Sequence, residues 1–196
     1  MNVSDISLPV AVLGAGPVGL AAAAHLIERG FTPLIFEASD GVAGNLASYR
    51  QVRLFSPWRY NIDRAARQLL ASAGWSQPAA DELPTAGEIT DRYLRPLAEL
   101  PAIASHLKLG HRITQVSRLG FDKVTTRGRE QAPFLVRAQT TEGEREYFAS
   151  AVIDATGTWS TPPKKQMSPT RIMLVMSDMT RHTPCEHNVR VFPIPA

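Results

Sequence analysis

Cysteine is almost absent from this sequence. Cys185 is the only one in 196 residues, so no disulfide can close within the chain and no CxxC or CxxxxC pair exists to act as a redox dithiol. No Lys or Arg precedes Arg29, which removes the basic n-region that a signal peptide needs. The apolar run from Leu8 to Ile27 comes close to the length of a membrane span, yet it is broken by Pro9, Pro17, His25 and three glycines. A cytoplasmic location with no membrane partner is therefore expected. Charge of one sign is also scarce in the body of the chain: residues 1–161 hold 16 Lys/Arg against 16 Asp/Glu, and the net charge of +3 comes entirely from residues 162–196. With its basic residues scattered and no recognition motif beside them, a nucleic-acid partner is not expected. Glycine, finally, does not occur after Gly157, so the last part of the chain cannot supply a glycine-rich nucleotide loop.

What is present is concentrated near the start. With 44% hydrophobic and 20% charged residues the composition is that of a soluble globular protein. Its most ordered stretch reads LPVAVLGAGPVGLAAAAHLIERGFTPLIFE, Leu8 to Glu37. The pattern predicts a buried strand (Val10 to Leu13), a helix (Pro17 to Glu28) and a second strand (Pro33 to Phe36), which is a βαβ dinucleotide-binding unit. Gly14 permits the tight turn, Gly16 lets backbone approach a pyrophosphate, and Gly19 lets helix and strand pack closely. Pro17 suits the first helical position, where an N–H would have no partner, and the helix start attracts phosphate. Glu37, 23 positions after Gly14, stands where a carboxylate accepts ribose hydroxyls and repels a 2′-phosphate.

Farther on, Ala38 to Tyr60 reads as loop. Asn61 to Ala73 has a helical apolar face, and Thr85-Ala86-Gly87-Glu88 is a capping box opening a helix that carries Ile89, Tyr93 and Leu97 inward, is kinked by Pro96 and stops at Pro101. From His106 the period changes to two. Strands at Leu107–Leu109, Ile113–Val116, Lys123–Thr126, Phe134–Gln139 and Glu144–Phe148 are expected to form an antiparallel meander. Ala151-Val152-Ile153-Asp154 then returns as a buried strand, reaches Ala155-Thr156-Gly157 and rejoins the opening sheet.

This order of GAGPVG, strand-end Glu, helical excursion, meander and Ala155-Thr156-Gly157 followed by Thr158-Trp159 resembles the two-dinucleotide-binding flavoproteins over residues 8–163. Among them it is most similar to the flavin-containing monooxygenases and their Baeyer–Villiger and N-hydroxylating neighbours. The resemblance implies an α/β fold, a Rossmann-like FAD-binding βαβ domain with inserted helices and an antiparallel β-meander, truncated before the NAD(P)H domain. It implies FAD at Gly14, Gly16, Pro17 and Gly19, with Glu37 at the adenosine ribose and Ala38 beside it among the cofactor-binding residues, backbone near Ile113 at the adenine, and Thr156-Gly157 where the last strand meets the cofactor. In the same reading Gly44-Asn45 wraps the pyrophosphate and ribityl chain, and the stretch Phe55 to Trp58, including Ser56 and Trp58, lies near the ring; the alternative is a surface loop with one packed aromatic.

The family's Gly-Gly-Trp after the acidic strand stands here as Gly44-Asn45-Leu46. Its monooxygenase fingerprint, second glycine loop and late Gly-Asp motif do not occur. Residues 1–163 are accordingly expected to be the FAD-binding domain, and 164–196, which hold four of the five methionines, an irregular tail, foreign or frame-altered. The function implied is the FAD-binding portion of an NAD(P)H-dependent flavoprotein oxidoreductase of monooxygenase type acting on a small-molecule substrate, incomplete as a catalyst. Two alternatives stay open: an NAD(H) dehydrogenase or reductase on the single βαβ site, and a non-catalytic module that self-associates through a truncated sheet edge.

No catalytic residue is assigned. His106 and His111 show no acidic or nucleophilic partner in the sequence, and Ser56 and Ser160 lack a nucleophile-elbow context. His182, Cys185 and His187 offer three donors with no fourth at ligand spacing, so no metal is expected.

Overall fold

A computed structural model describes residues 8–121 and 127–157. The expected strand at Lys123–Thr126, the tail from residue 164 and its His182, Cys185 and His187 lie outside the described residues.

The opening unit forms as its pattern requires: β1 (Val10–Leu13), α1 (Pro17–Glu28) and β2 (Pro33–Phe36). Strand β1 is buried along its whole length and its side chains alternate between two cores. Val10 and Val12 face one way, against Leu20, Ala23 and Ala24 of α1, while Ala11 and Leu13 face the other. This is the period-two consequence of a strand covered on both faces.

The connection after β2 contains two short helices, α2 (Gly44–Ala47) and α3 (Trp58–Asn61), where the sequence reads as loop. Helix α4 (Arg64–Ser72) starts three residues later than its periodicity suggests, because the Asp63 side chain accepts from the Ala66 N–H (3.0 Å) and caps it. Its Ala65, Ala66 and Leu70 join the α1 core.

The capping box at Thr85 and Glu88 is formed, with both reciprocal bonds in place. The helix it opens is not one continuous α-helix. It runs as α5 (Ala86–Ile89), a π-turn over Thr90–Leu94 and α6 (Arg95–Glu99), and a separate turn, α7 (Pro101–Ala104), follows. The Arg95 N–H reaches back five residues to the Thr90 carbonyl. Pro96 has no N–H to give the Arg92 carbonyl four residues earlier. That carbonyl accepts instead from the Trp75 indole N–H at 2.8 Å, so it keeps a hydrogen-bond partner with the proline inside the helical run. Ile89, Tyr93 and Leu97 are all buried.

Strand β3 (Leu107–Lys108) corrects the sequence reading of Leu107–Leu109 as part of the meander. It pairs parallel with β2, Ile35 with Leu107 and Phe36 with Lys108, and completes a four-stranded sheet in the order β3-β2-β1-β7, where β7 is Ala151–Asp154. Two residues carry too little alternation to tell a parallel edge strand from the first strand of a hairpin. Among the described residues the meander has three antiparallel strands: β4 (Arg112–Arg118), β5 (Phe134–Thr140) and β6 (Gly143–Ala149), with a short 3₁₀ turn at Arg129–Gln131 before β5.

The architecture is α/β. Helices cover the β1 face that carries Val10 and Val12, and the meander covers the opposite face through Phe134, Val136 and Ala149 against Ala11, Leu13, Phe36 and Val152. Tyr147 sets its ring edge against Phe36 at a centroid distance of 4.9 Å. His111 fastens the two layers, its Nε2 2.8 Å from the Tyr147 hydroxyl and its backbone N–H donating to the Glu37 carbonyl at 2.8 Å. It therefore has partners that the sequence did not reveal. No helix among the described residues is long and apolar enough to cross a membrane.

Candidate functional site

The ends of β1 and β7 meet at the glycine turn. The parallel pairing of Leu13 with Asp154 carries both strands out of the sheet side by side, and the Ala155 N–H donates to the Leu13 carbonyl at 2.9 Å. Gly14 turns the chain with φ +99°, a left-handed conformation, and a Cβ there would stand 2.8 Å from the Ala155 carbonyl oxygen. Glycine is required at position 14 on both counts. Gly19 is required for closeness alone, since a Cβ on it would lie 1.8 Å from the Gly14 carbonyl oxygen. These contacts bring Ala155 and Thr156 beside Gly14 from across the chain, and Gly157 follows them. The Thr156 N–H and hydroxyl both donate to Asp154 Oδ1, at 3.1 and 2.7 Å, and shape that corner.

Ala15, between the first two glycines, is fully buried. Its N–H donates to Glu37 Oε2 at 2.8 Å, and its carbonyl accepts from the Ala43 N–H at 3.0 Å. The second carboxylate oxygen of Glu37 accepts from the Ser39 N–H at 3.0 Å. Glu37 thus points at the turn and is held by two backbone amides, while Ala38 beside it is exposed. A carboxylate has about four lone-pair positions. Two backbone donors leave capacity for hydroxyl groups.

Gly16 caps α1 without a side-chain bond and Pro17 takes the first helical position. A Cβ on Gly16 would meet nothing within 4 Å, so this face of the turn is open. Among the described residues the Gly16 and Val18 amides have no hydrogen-bond partner, as expected of the first turn of a helix. Open backbone donors at the positive end of a helix dipole suit an anion.

Gly44 joins the cluster through Ser39, whose Oγ lies 2.5 Å from where a Cβ on Gly44 would stand, and Asn45 follows it with an exposed side chain. The remaining expected residues are placed differently. Trp58 is 1% exposed and its ring belongs to the helix-side core, with the Arg92 guanidinium 5.7 Å from its centroid. An indole enclosed this way packs the core, as the alternative reading of a loop with one packed aromatic expects. The Ser56 hydroxyl donates to Asn61 Oδ1 at 3.2 Å and closes the α3 turn, also a local role. Phe55 between them is 97% exposed. Ile113 packs its side chain into the meander-side core and pairs with Ala138 next to a β-bulge.

Ala15, Ala43 and Asp154 are the site residues that sequence reasoning missed. Ala15 acts through backbone alone, and Asp154 could have been suspected only from its place at the end of a buried strand. An open cleft of about 490 Å³, lined by Asp40, Lys108, His111, Thr140, Arg145 and Tyr147, lies between the end of β3 and the β5–β6 turn and touches none of the glycine-turn residues. Among the described residues no three His, Cys, Asp or Glu side chains gather to hold a metal ion.

Residues 12–83 match a family model described as an NAD(P)-binding Rossmann-like domain. No curated protein matches the chain by sequence. Solved structures do match the fold. Bacillithiol disulfide reductase from Bacillus cereus is similar at 20% identity and a TM-score of 0.58, over 78% of this chain and 40% of that one. An oxidised steroid monooxygenase bound to NADP matches at 25% identity and 0.58, over 78% of this chain and 26% of its own. OTEMO in complex with FAD and NADP matches at 21% identity and 0.55, over 76% and 25%. The chain therefore spans between a quarter and two fifths of the length of these structures.

Proposed function

We propose that this chain binds FAD at the glycine turn and is the FAD-binding portion of an NAD(P)H-dependent flavoprotein oxidoreductase of monooxygenase type. One observation carries the reading. The Glu37 carboxylate, the glycine turn and the Ala155-Thr156-Gly157 corner are joined into one site by the Ala15–Glu37 hydrogen bond and the seating of Gly14 on Ala155.

The residues present fit the group. The open amides of Gly16 and Val18 and the bare face of Gly16 would hold the pyrophosphate, and Glu37 would accept the adenosine ribose hydroxyls. The flavin, when bound, supplies the redox and oxygen chemistry, and the protein's part is binding and orientation. Glu37 fixes the nucleotide's direction and repels a phosphate on the ribose. Residues 1–163 form the binding unit in this reading, and the substrate is a small molecule met by parts of a longer enzyme.

A second reading, NAD(H) on the same turn, is favoured by the match of residues 12–83 to an NAD(P)-binding family. Titration of the purified chain with FAD, NADH and NADPH in separate experiments divides the two. FAD is expected to saturate, with flavin absorbance co-eluting with the protein, and Gly16→Val and Glu37→Ala are each expected to weaken it by about tenfold or more, roughly 1.4 kcal/mol. Saturation by NADH with no response to FAD establishes the second reading instead. Unchanged FAD affinity in both variants overturns the site.

A further inference from the structure

Ala43 is the single non-glycine residue among those described with a left-handed backbone, φ +59°. An L-residue adopts that conformation at a cost, and such costs persist where the surroundings enforce them, often at functional sites. Here the surroundings are plain. Ala43 is 3% exposed, its side chain lies in the helix-side core, and its N–H donates to the Ala15 carbonyl. Directly after it, Gly44 passes too close to Ser39 Oγ to carry a Cβ without displacing it, and Ser39 in turn gives its N–H to Glu37.

The connection from Ser39 to Gly44 thus returns to the glycine turn from the side opposite Glu37's bond. Ala15 is gripped at both ends of its backbone, its N–H by the Glu37 carboxylate and its carbonyl by Ala43. A peptide so held cannot rotate, and the next amide, Gly16, keeps its outward direction. We propose that Ala43 is a positioning residue for the phosphate-binding turn, spending an unfavourable backbone conformation to fix the amides that meet the pyrophosphate. The inference rests on the dinucleotide reading of the site. A bulkier residue at 43 should abandon the left-handed region, withdraw its N–H from Ala15 and loosen the turn, whereas glycine should hold the same shape without the left-handed backbone penalty.

The test combines amide hydrogen exchange on the protein without nucleotide and FAD titration of wild type, Ala43→Gly and Ala43→Val. In wild type the amides of Ala15 and Ala43 are expected to exchange as slowly as those of β1. Ala43→Gly is expected to keep that protection and to bind FAD as tightly as wild type or more tightly. Ala43→Val is expected to lose protection at Ala15 and to bind FAD about tenfold more weakly, a factor worth about 1.4 kcal/mol. A lowered melting temperature in Ala43→Val with Ala15 exchange and FAD affinity unchanged overturns the proposal, since the residue would then only pack. Fast exchange at Ala43 in wild type, or weakened FAD binding in Ala43→Gly, also overturns it, and these two results decide the matter if the valine variant does not fold. Failure of wild type to bind FAD counts against the nucleotide reading and leaves the exchange result to judge the brace by itself.

Discussion

Gly19 sets the tolerance of the glycine turn, and it needs no contact with a ligand to do so. A methyl group at position 19 would overlap the Gly14 carbonyl oxygen at 1.8 Å, and because the obstacle is backbone, no side-chain rotation relieves it. Gly19→Ala is expected to cost about 3 kcal/mol, the upper end of overpacking, and to abolish FAD binding because the turn itself must move. Urea unfolding checks the first, and a wild-type midpoint would refute it. A second residue-scale consequence concerns pH. Tyr93 is enclosed by the helical layer; burial, with a smaller push from the Asp63 carboxylate, raises its phenol to about 12, against an opposing hydrogen bond from the Asp63 N–H. In the unfolded chain the phenol ionises near 10. The contribution of Tyr93 to stability is therefore fully present below pH 10 and is lost as pH rises from there toward 12, by up to about 3 kcal/mol. Tyr93→Phe should flatten that alkaline decline in a pH series of unfolding curves. The sequence disclosed Gly14, Gly16, Gly19 and Glu37, whose roles follow from residue type at fixed spacing. Ala15 and Ala43 stayed hidden because they act through main-chain atoms that every residue possesses.

At the scale of elements, what was legible had caps or a long period. Strands β1 and β2 and helix α1 match their expected limits, and the capping box marks the start of α5. The start of α4 required choosing among polar residues, and the choice was made by Asp63, which also lies 3.0 Å from His25 Nε2 and so ties α1 to α4. The π-turn at Thr90–Leu94 could not be read, because its cause lies elsewhere. Pro96 announces a kink, and only the fold supplies Trp75 to accept the consequence. Trp75→Phe leaves the Arg92 carbonyl without that bond and is expected to destabilise by about 1 kcal/mol, the low end for an unmade hydrogen bond since Trp75 is only half-buried. Replacing Pro96 by Ala in the same background gives the carbonyl an in-helix donor and should recover part of the loss. Additive effects of the two changes in denaturant titrations would show that the indole and the proline are not linked.

For the molecule as a whole, the parallel sheet separates two cores that share its strands. The helix-side core uses Val10, Val12, Ile35 and Ile153, and the meander-side core uses Ala11, Leu13, Phe36 and Val152, so neither can lose its strands without exposing the other. A single cooperative unfolding transition is expected. The indoles of Trp58 and Trp75 report on the helical layer and far-ultraviolet circular dichroism on all layers, so their denaturation curves should coincide; separate midpoints would mean two independently folding parts. The layered α/β arrangement was legible in the sequence because long apolar periods dominate it. The sheet that Leu107–Lys108 joins was not, since a short run between a helix and a glycine does not say which strands it will pair with.

Strand β1 lies inside its sheet, yet one of its two neighbours, β7, is encoded 141 residues farther along, Val10 facing Ala151. During translation, at roughly 5–20 residues per second, that flank of β1 stays open for on the order of ten seconds. A nascent chain halted before Ala151 would present its most apolar strand with a row of unsatisfied amides and carbonyls. Ribosome stalling in this interval therefore favours capture by chaperones or aggregation over any partial fold.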